Sequence, residues 1–324
     1  MRDAATVAER LAGHLAATVT AMVAAAPAPV APVYVSWGAA AEVATCPPRY
    51  RAAGEAGWRF PGWAPATAGA AAGRAALDHH LQATTPPAGP PPLPAPLEAV
   101  RSWMRSGTAV GAPGVAGWVA ELRVRGDGTT MAATAATAAR WLAGFVRLWG
   151  WPLPSRLALL NVPREGGAGG APRWWPARRS PVSVASGADA RLGRPGRTGD
   201  LSLVVHRPSS GGDRDVHRRA AYEAAAGALA LRVAPEAVVV SGGDTGERVR
   251  VVVDDDLLAA GAEMIAAVVR ARVTALTAGF DPGDARPSVL CRWCEEAGRC
   301  PAGAAWLAGP GRWHAGLPVL AAEG

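Results

Sequence analysis

Apolar residues recur at helical spacing along much of the first half of the chain. The clearest run is formed by Val7, Leu11, Leu15 and Val19. These residues are four positions apart, which places them on the same side of a helix. An alternating stretch at 118–126 predicts a strand between two of the helical segments. The segments predicted to be helical are 4–25, 69–83, 96–106 and 129–149.

A short apolar stretch at 33–35 predicts a strand, and Ser36 has the chemistry of an N-cap for a helix that runs to about Thr45. Trp141, Phe145 and Trp149 recur every four residues, which is typical of a helix face in a hydrophobic core.

From about residue 156 the pattern changes to short strands and longer helices. Strands bracketed by helices in this way indicate an α/β fold rather than a β-sandwich. The predicted strands are 156–162, 180–185, 200–206, 236–243 and 247–254, and the predicted helices are 215–233 and 256–279.

These elements suggest one domain in which a helical portion is wrapped onto an α/β half. The proline-dense stretch at 85–96 favours a polyproline-like connector. No apolar run is long enough to span a membrane and the first residues lack a signal-peptide core, so we expect a cytoplasmic protein. The predicted parts are an N-terminal helical portion at 1–84, the connector, a helical insertion at 97–155, an α/β core at 156–288, and a cysteine motif with a tail at 289–324.

The charge is carried in an unusual way, because the 324 residues include 33 arginines and no lysine. The absence of lysine excludes Schiff-base chemistry, a phosphate-loop lysine and a lysine general base. A net charge of +7 makes nucleic acid the first partner to consider. A solvated basic surface accounts for the same excess equally well.

All four cysteines fit a single metal centre. Cys291, Cys294 and Cys300 have the spacing C-x2-C-x5-C, and Cys46 stands far upstream in the turn CPPRYR. Four thiolates complete tetrahedral sulfur ligation of either zinc or an iron–sulfur cluster. The alternative is four unrelated thiols.

The two cysteine segments, SWGAAAEVATCPPRYR and CRWCEEAGRCPAG, resemble the iron–sulfur branch of the RecB-like PD-(D/E)XK nucleases, the AddB type in particular. The resemblance implies a restriction-endonuclease-like core, in which a mixed sheet is flanked by helices. It also implies a 4Fe–4S cluster on the four cysteines, which would clasp the two ends of the chain, with zinc as the alternative.

The same resemblance implies a degenerate catalytic site. Asp189 in SGADARLG stands where the family has its first metal-binding aspartate. In LVVHRPSSGG, His206 stands at the second carboxylate, Arg207 at the variable position and Pro208 at the lysine. One carboxylate and one imidazole make a poor magnesium site, because this hard cation prefers oxygen ligands.

Two further family motifs are only partly matched. The Q-x3-Y helix would place Arg218 at the glutamine and Tyr222 at the tyrosine. The upstream histidine would follow Gly73, but Leu77 stands in its place, and His79 or His80 would need a shifted register.

The leading hypothesis is a pseudonuclease that binds DNA, with a helicase or another DNA-processing subunit as a further partner. One alternative is an active nuclease that uses Asp189, His206 and either Asp200 or Glu223 around manganese. Another is a zinc- or cluster-stapled adaptor that binds no nucleic acid. The predicted nucleic-acid contacts are Arg49, Arg51, Arg207, Arg218, Arg219 and Tyr222.

Overall fold

The protein is an α/β structure in which two sheets, one mixed and five-stranded, are flanked by helices. In the described part of the chain, no helix has both the length and the apolar character needed to cross a membrane. The computed structural model describes residues 4–48, 50, 65–82, 92–110, 114–160, 173–193, 201–207, 213–242, 247–278, 283, 285–287, 291, 294 and 297–309.

The larger sheet has the strand order β2-β5-β6-β7-β8. Strands β6 and β7 are parallel, with Ser202 opposite Ala237, and the other three pairings are antiparallel. The parallel pair requires a crossover connection, which a helix supplies. The strands are β2 (Leu157–Leu159), β5 (Ala190–Leu192), β6 (Ser202–Arg207), β7 (Ala237–Gly242) and β8 (Glu247–Val252).

The smaller sheet has β4 in its centre, parallel to β1 on one side and antiparallel to β3 on the other. Its apolar face belongs to a core cluster that includes Val35, Val184 and Tyr222. The strands are β1 (Val33–Val35), β3 (Arg173–Trp174) and β4 (Val182–Ala185).

The helices follow the apolar periodicity of the sequence. The chain N-terminal to the larger sheet contains α1 to α6, while α7 connects β6 to β7. The helices are α1 (Ala4–Ala24), α2 (Trp37–Thr45), α3 (Pro65–Gln82), α4 (Pro96–Ser106), α5 (Val115–Arg125), α6 (Gly128–Trp149), α7 (Asp213–Leu231), α8 (Asp255–Ala278) and α9 (Pro301–Ala308).

Strand β6 is covered on both faces. Leu203 and Val205 lie in a cluster with the small residues of α7, whereas Val204 lies in a separate cluster with α3, α4 and α6. Because side chains alternate along a strand, His206 shares the face of Val204 and points toward the helical layer. The helices predicted as an insertion therefore cover this face of the sheet.

Helices α7 and α8 approach each other closely through small residues. A side chain at Gly261 would place its Cβ 2.1 Å from the carbonyl oxygen of Ala221 and 2.7 Å from the Cβ of Ala225. Since the obstructing atoms include backbone, this crossing distance requires glycine.

Most predicted elements are confirmed with small changes in their ends. Ser36 is the N-cap of α2, and its side chain accepts a hydrogen bond from the backbone N–H of Ala39 at 3.3 Å. The predicted core positions Trp141 and Phe145 are fully buried.

The strand predicted at 118–126 is wrong, because this segment belongs to helix α5. Its buried residues include Val115, Val119 and Leu122, which have helical spacing, while Val124 remains 75% exposed. The alternation extends over too few residues to outweigh this longer helical stripe, which ends at Gly126 with a left-handed φ of 72°.

Candidate functional site

The structure brings Asp189 and His206 together just before β5 and near the end of β6. The backbone N–H of Asp189 donates to the carbonyl of Val204 at 2.8 Å. The backbone N–H of His206 then donates to Oδ2 of Asp189 at 2.6 Å. Both residues are buried, with Asp189 only 2% exposed. The antiparallel register therefore places the two resemblance-based site residues beside each other.

The Asp189 carboxylate is already neutralised by a residue that the sequence motifs did not indicate. Arg74 in α3 forms a hydrogen-bonded ion pair with Oδ1 of Asp189, and its guanidinium carbon lies 6.0 Å from the ring centroid of Trp141. The signal available in the sequence was that Arg74 is the sole charged residue of 65–77, an alanine-rich helical segment. A lone charge in such a segment needs a buried partner.

The imidazole of His206 is enclosed by aromatic rings and by α6. Its Nδ1 lies 3.0 Å from Oγ of Ser241, and the rings of Trp141 and Phe145 meet it edge-on, with centroids 5.5 and 5.9 Å away. A Cβ at Gly144 would lie 2.8 Å from Nε2, so the helix approaches this nitrogen directly.

This enclosure lowers the pKa of His206 below its ordinary value of 6.5. Burial is the largest cause, and the charge of Asp189 and the backbone carbonyl of Trp141 counter it in part. A lowered pKa keeps the imidazole neutral at pH 7.

The donor set does not fit a magnesium or manganese site. Asp189 has one carboxylate oxygen on a guanidinium and the other on a backbone N–H. His206 offers nitrogen, whereas a hard cation prefers several oxygen ligands. The positive charge that a metal would contribute next to Asp189 is supplied by Arg74.

A second buried network holds the turn that precedes Asp189. Glu223 in α7 is 0% exposed, and its Oε2 accepts hydrogen bonds from Oγ of Ser186 at 2.9 Å and from the backbone N–H of Gly187 at 2.7 Å. Its Oε1 lies 2.7 Å from the guanidinium of Arg219. Helix α7 thereby fixes the turn at 186–188 and, through it, the position of Asp189.

Two predicted nucleic-acid contacts on α7 are corrected by this network. Arg219 is buried, pairs with Glu223 and lies 5.1 Å from the ring centroid of Trp37. Tyr222 is buried as well, and its hydroxyl lies 2.9 Å from the carbonyl oxygen of Ala185. Burial also raises the pKa of Tyr222 well above 10.0. Both side chains stabilise the interior and do not reach a phosphate.

The remaining predicted contacts are either half-buried or outside the described residues. Arg218 is half-buried on α7. Outside the described residues lie Arg49, Arg51, Asp200, Pro208 and the side chain of Arg207.

The resembled family has an upstream histidine that joins the metal site, and Leu77 occupies the corresponding position here. Leu77 is fully buried in the hydrophobic cluster that α3 forms with α4 and α6. His79 is hydrogen-bonded through Nε2 to Oγ of Ser106 at 3.1 Å, and the His80 ring lies 5.6 Å from that of Trp151. Arg74, one residue after Gly73, is the α3 residue that contacts Asp189.

Two of the cysteines, Cys46 and Cys300, lie at helix ends, and the four cysteines form no disulfide. Cys46 is the C-cap of α2, and Cys300 is the N-cap of α9, where its Sγ accepts from the backbone N–H of Gly303 at 3.3 Å. A Cβ at Gly303 would lie 3.5 and 3.7 Å from the sulfurs of Cys300 and Cys291. Gly303 therefore leaves space beside two of the four sulfurs.

The segments that carry Cys46 and the other cysteines are connected to each other and to α8. Arg286 donates to the carbonyl of Ala44 at 3.0 Å, just before Cys46. Tyr50, which follows Cys46 by one turn, accepts from Nε of Arg272 in α8 at 3.3 Å. Among the described residues, no group of three or more His, Cys, Asp or Glu side chains is arranged to hold a metal ion.

No protein-family model matches the chain, and no curated protein matches its sequence.

Replacing Arg74 with methionine leaves the buried Asp189 carboxylate without its charged partner. We expect Arg74→Met to lower the free energy of unfolding by about 3–5 kcal/mol, as for other broken buried pairs. The double variant Arg74→Met/Asp189→Asn also removes the uncompensated charge, and it should regain part of the lost free energy of unfolding. Chemical denaturation followed by circular dichroism measures all three proteins.

The matched control is Arg140→Met on the exposed side of α6, where the arginine donates a hydrogen bond to Oγ1 of Thr137 at 3.3 Å. We expect this exposed change to stay within about 0.5 kcal/mol of the wild type. Equal destabilisation by Arg74→Met and Arg140→Met contradicts the buried pair.

The lowered pKa of His206 makes the fold sensitive to acid. Below pH 6.5 the unfolded chain takes up a proton on this residue before the folded protein does. The free energy of unfolding therefore falls as pH drops below about 6.5, by at most about 1.4 kcal/mol per pH unit from this group. Denaturation at pH 7.5, 6.5, 5.5 and 5.0 measures the slope, and His206→Asn should have a smaller slope than the wild type. Identical slopes contradict the prediction.

Proposed function

We propose that this protein is a catalytically silent relative of the RecB-like, AddB-type PD-(D/E)XK nucleases that binds DNA without cutting it. The observation that carries the proposal is the ion pair between Asp189 and Arg74 in the covered face of the sheet. The mixed sheet and the position of Asp189 beside His206 support the nuclease-like part of the proposal.

Hydrolysis of a phosphodiester by the family mechanism needs a metal-binding carboxylate pair and a lysine. Here one carboxylate is engaged by Arg74, the second position is His206, and the chain contains no lysine. Helices α3 and α6 also cover the site, because Arg74 of α3 binds Asp189 while Gly144 and Trp141 of α6 lie against the His206 ring. A phosphate and its hydrated metal ion have no place in this arrangement.

The arginine distribution supports DNA binding. The net charge of +7 is carried by arginines, and exposed arginines occur on helices and sheet edges alike. Guanidinium groups bind phosphate oxygens in a bidentate manner, which favours a nucleic-acid backbone as the partner. Exposed examples are Arg140, Arg156, Arg191, Arg248 and Arg250. A helicase or another DNA-processing subunit would be the natural protein partner of such a scaffold.

We further propose that Cys46, Cys291, Cys294 and Cys300 hold a 4Fe–4S cluster. Two observations favour this set. The sulfurs of Cys300 and Cys291 both lie near Gly303, and the hydrogen bond from Arg286 to Ala44 associates the C-terminal segment with that of Cys46. A bound cluster would supply a cross-link between the two ends of the described chain and not a reactive centre. Zinc on the same thiolates would supply the same cross-link.

The DNA-binding proposal predicts association without cleavage. Linear duplex and single-stranded DNA should remain intact with Mg²⁺ or Mn²⁺ while the protein retains DNA on a filter at about 50 mM salt. Retention should fall steeply toward about 200 mM salt, because phosphate contacts release counterions. DNA cleavage that disappears in the Asp189→Ala variant supports the active-nuclease alternative. If the protein retains no DNA on the filter, the adaptor alternative is supported.

The cluster proposal predicts a brown protein after anaerobic purification, with broad absorbance near ~400 nm and about four irons and four sulfides per chain. Cys46→Ser and Cys291→Ser should each lose most of the iron, since both ends supply ligands. The control is Ala132→Ser, which introduces a serine at an exposed position of α6 and should keep the iron. Colourless protein with bound zinc overturns the iron–sulfur assignment but keeps the clasp.

A further inference from the structure

The outward face of the smaller sheet carries two exposed aromatic side chains. Tyr34 in β1 and Trp175 at the end of β3 are each 51% exposed. Tyr and Trp are enriched at interfaces, so two such side chains exposed on one small sheet indicate a candidate contact surface. Neither residue belongs to the site around Asp189.

The strand register places these two side chains on the same face. Val33 and Val35 point into the core, so Tyr34 points outward, and it lies opposite Ser183 of β4. On the other side of β4, Trp174 is paired with the buried Val184 and packs against the core. The next residue, Trp175, lies directly after β3 and is exposed, so continued alternation favours the same outward face as that of Tyr34.

The two exposed aromatic side chains lie on opposite sides of β4. Strands β1 and β3 flank β4, so the backbones that carry Tyr34 and Trp175 are about two strand spacings, or roughly 9–10 Å, apart. The small side chain of Ser183 lies on the strand between them. Ser183 itself is only 5% exposed, so the strand between the rings is already covered and a nucleobase can stack only on the exposed parts of the Tyr34 and Trp175 rings.

Three exposed arginines lie in β3 or in the turn that follows it. The guanidinium carbon of Arg173 lies 5.6 Å from the ring centroid of Tyr34, and the Arg173 side chain remains exposed. Arg178 and Arg179 are exposed in the turn between β3 and β4, where Ser180 N–H donates to the carbonyl of Ala177 at 3.0 Å. The segments 27–37 and 173–186 that build the face contain these three arginines and no carboxylate.

We propose that this surface, formed by Tyr34, Arg173, Trp175, Arg178 and Arg179, binds single-stranded DNA. The two rings stack on successive bases, and the guanidinium groups contact the phosphates between and beside them. Stacking requires unpaired bases, so the chemistry selects a single strand over a duplex. The inference rests on the proposed DNA-binding function and adds a location and a strand preference to it.

The test measures the fluorescence anisotropy of a labelled 20-nucleotide oligo(dT) strand as the full-length protein is added. A labelled duplex of equal length is measured in parallel. Tyr34→Ala and Trp175→Ala should each weaken oligo(dT) binding between about fivefold and 150-fold, as for other stacked bases. Tyr34→Phe and Trp175→Phe keep a ring and should retain most of the affinity. Circular dichroism verifies that every variant is folded.

The arginines are tested through the salt dependence. The double variant Arg178→Gln/Arg179→Gln should lower the slope of log affinity against log salt by about 0.7 for each phosphate that is no longer bound. The matched control, Arg101→Gln/Arg105→Gln on the exposed side of α4, removes the same charge at another place and should keep the slope.

The outcomes separate this inference from the proposed function. Oligo(dT) binding that is unchanged in Tyr34→Ala and Trp175→Ala overturns the surface and leaves DNA binding intact. Binding of the duplex alone also overturns the surface. A wild-type protein that binds neither DNA overturns both proposals. Selective loss of oligo(dT) affinity in the two alanine variants, with the duplex unaffected, confirms the surface.

Discussion

The structure depends on the buried ion pair between Arg74 and Asp189. Asp189 precedes β5 in the larger sheet, and Arg74 lies in a helix of the layer that covers it. A charge of either sign alone in this position would be costly, so the sheet and the helical layer must associate for both to be stable. The pair therefore fixes how α3 and α6 lie on the face that includes His206, and with it the closure of that face.

The same pair supports the proposal that this protein does not cleave DNA. A metal ion and a guanidinium both neutralise a carboxylate, but the guanidinium cannot activate a water molecule or accept further oxygen ligands. His206 is likewise engaged within the fold, because its imidazole is neutral, enclosed by aromatic rings and hydrogen-bonded to Ser241. Both residues have become part of the packing between two layers, and any interaction with DNA must use other surfaces.

Helix α7 relates these surfaces to each other. On one side it fixes the turn before Asp189 through Glu223 and Arg219. On another, the hydroxyl of Tyr222 contacts carbonyls of Val35 and Ala185 at the edge of the smaller sheet, whose outward face carries Tyr34. Charges that serve the interior are thus paired and buried, whereas the arginines around Tyr34 are exposed. Their different surroundings, rather than their residue type, separate structural arginines from candidate DNA contacts.

The sequence by itself determined the helices, most strands and the α/β class, because apolar periodicity and capping residues such as Ser36 act over a few neighbouring positions. It also indicated Asp189 and His206 through the motifs that surround them. The short alternation at 118–126 was misleading, since its signal is weaker than the helical stripe from Val115. Only the tertiary structure decided that Arg74 neutralises Asp189 from 115 residues away, and that Arg219 is buried while Arg173 is exposed. Those outcomes depend on which charges the packed layers enclose together, and local patterns along the chain carry no information about that.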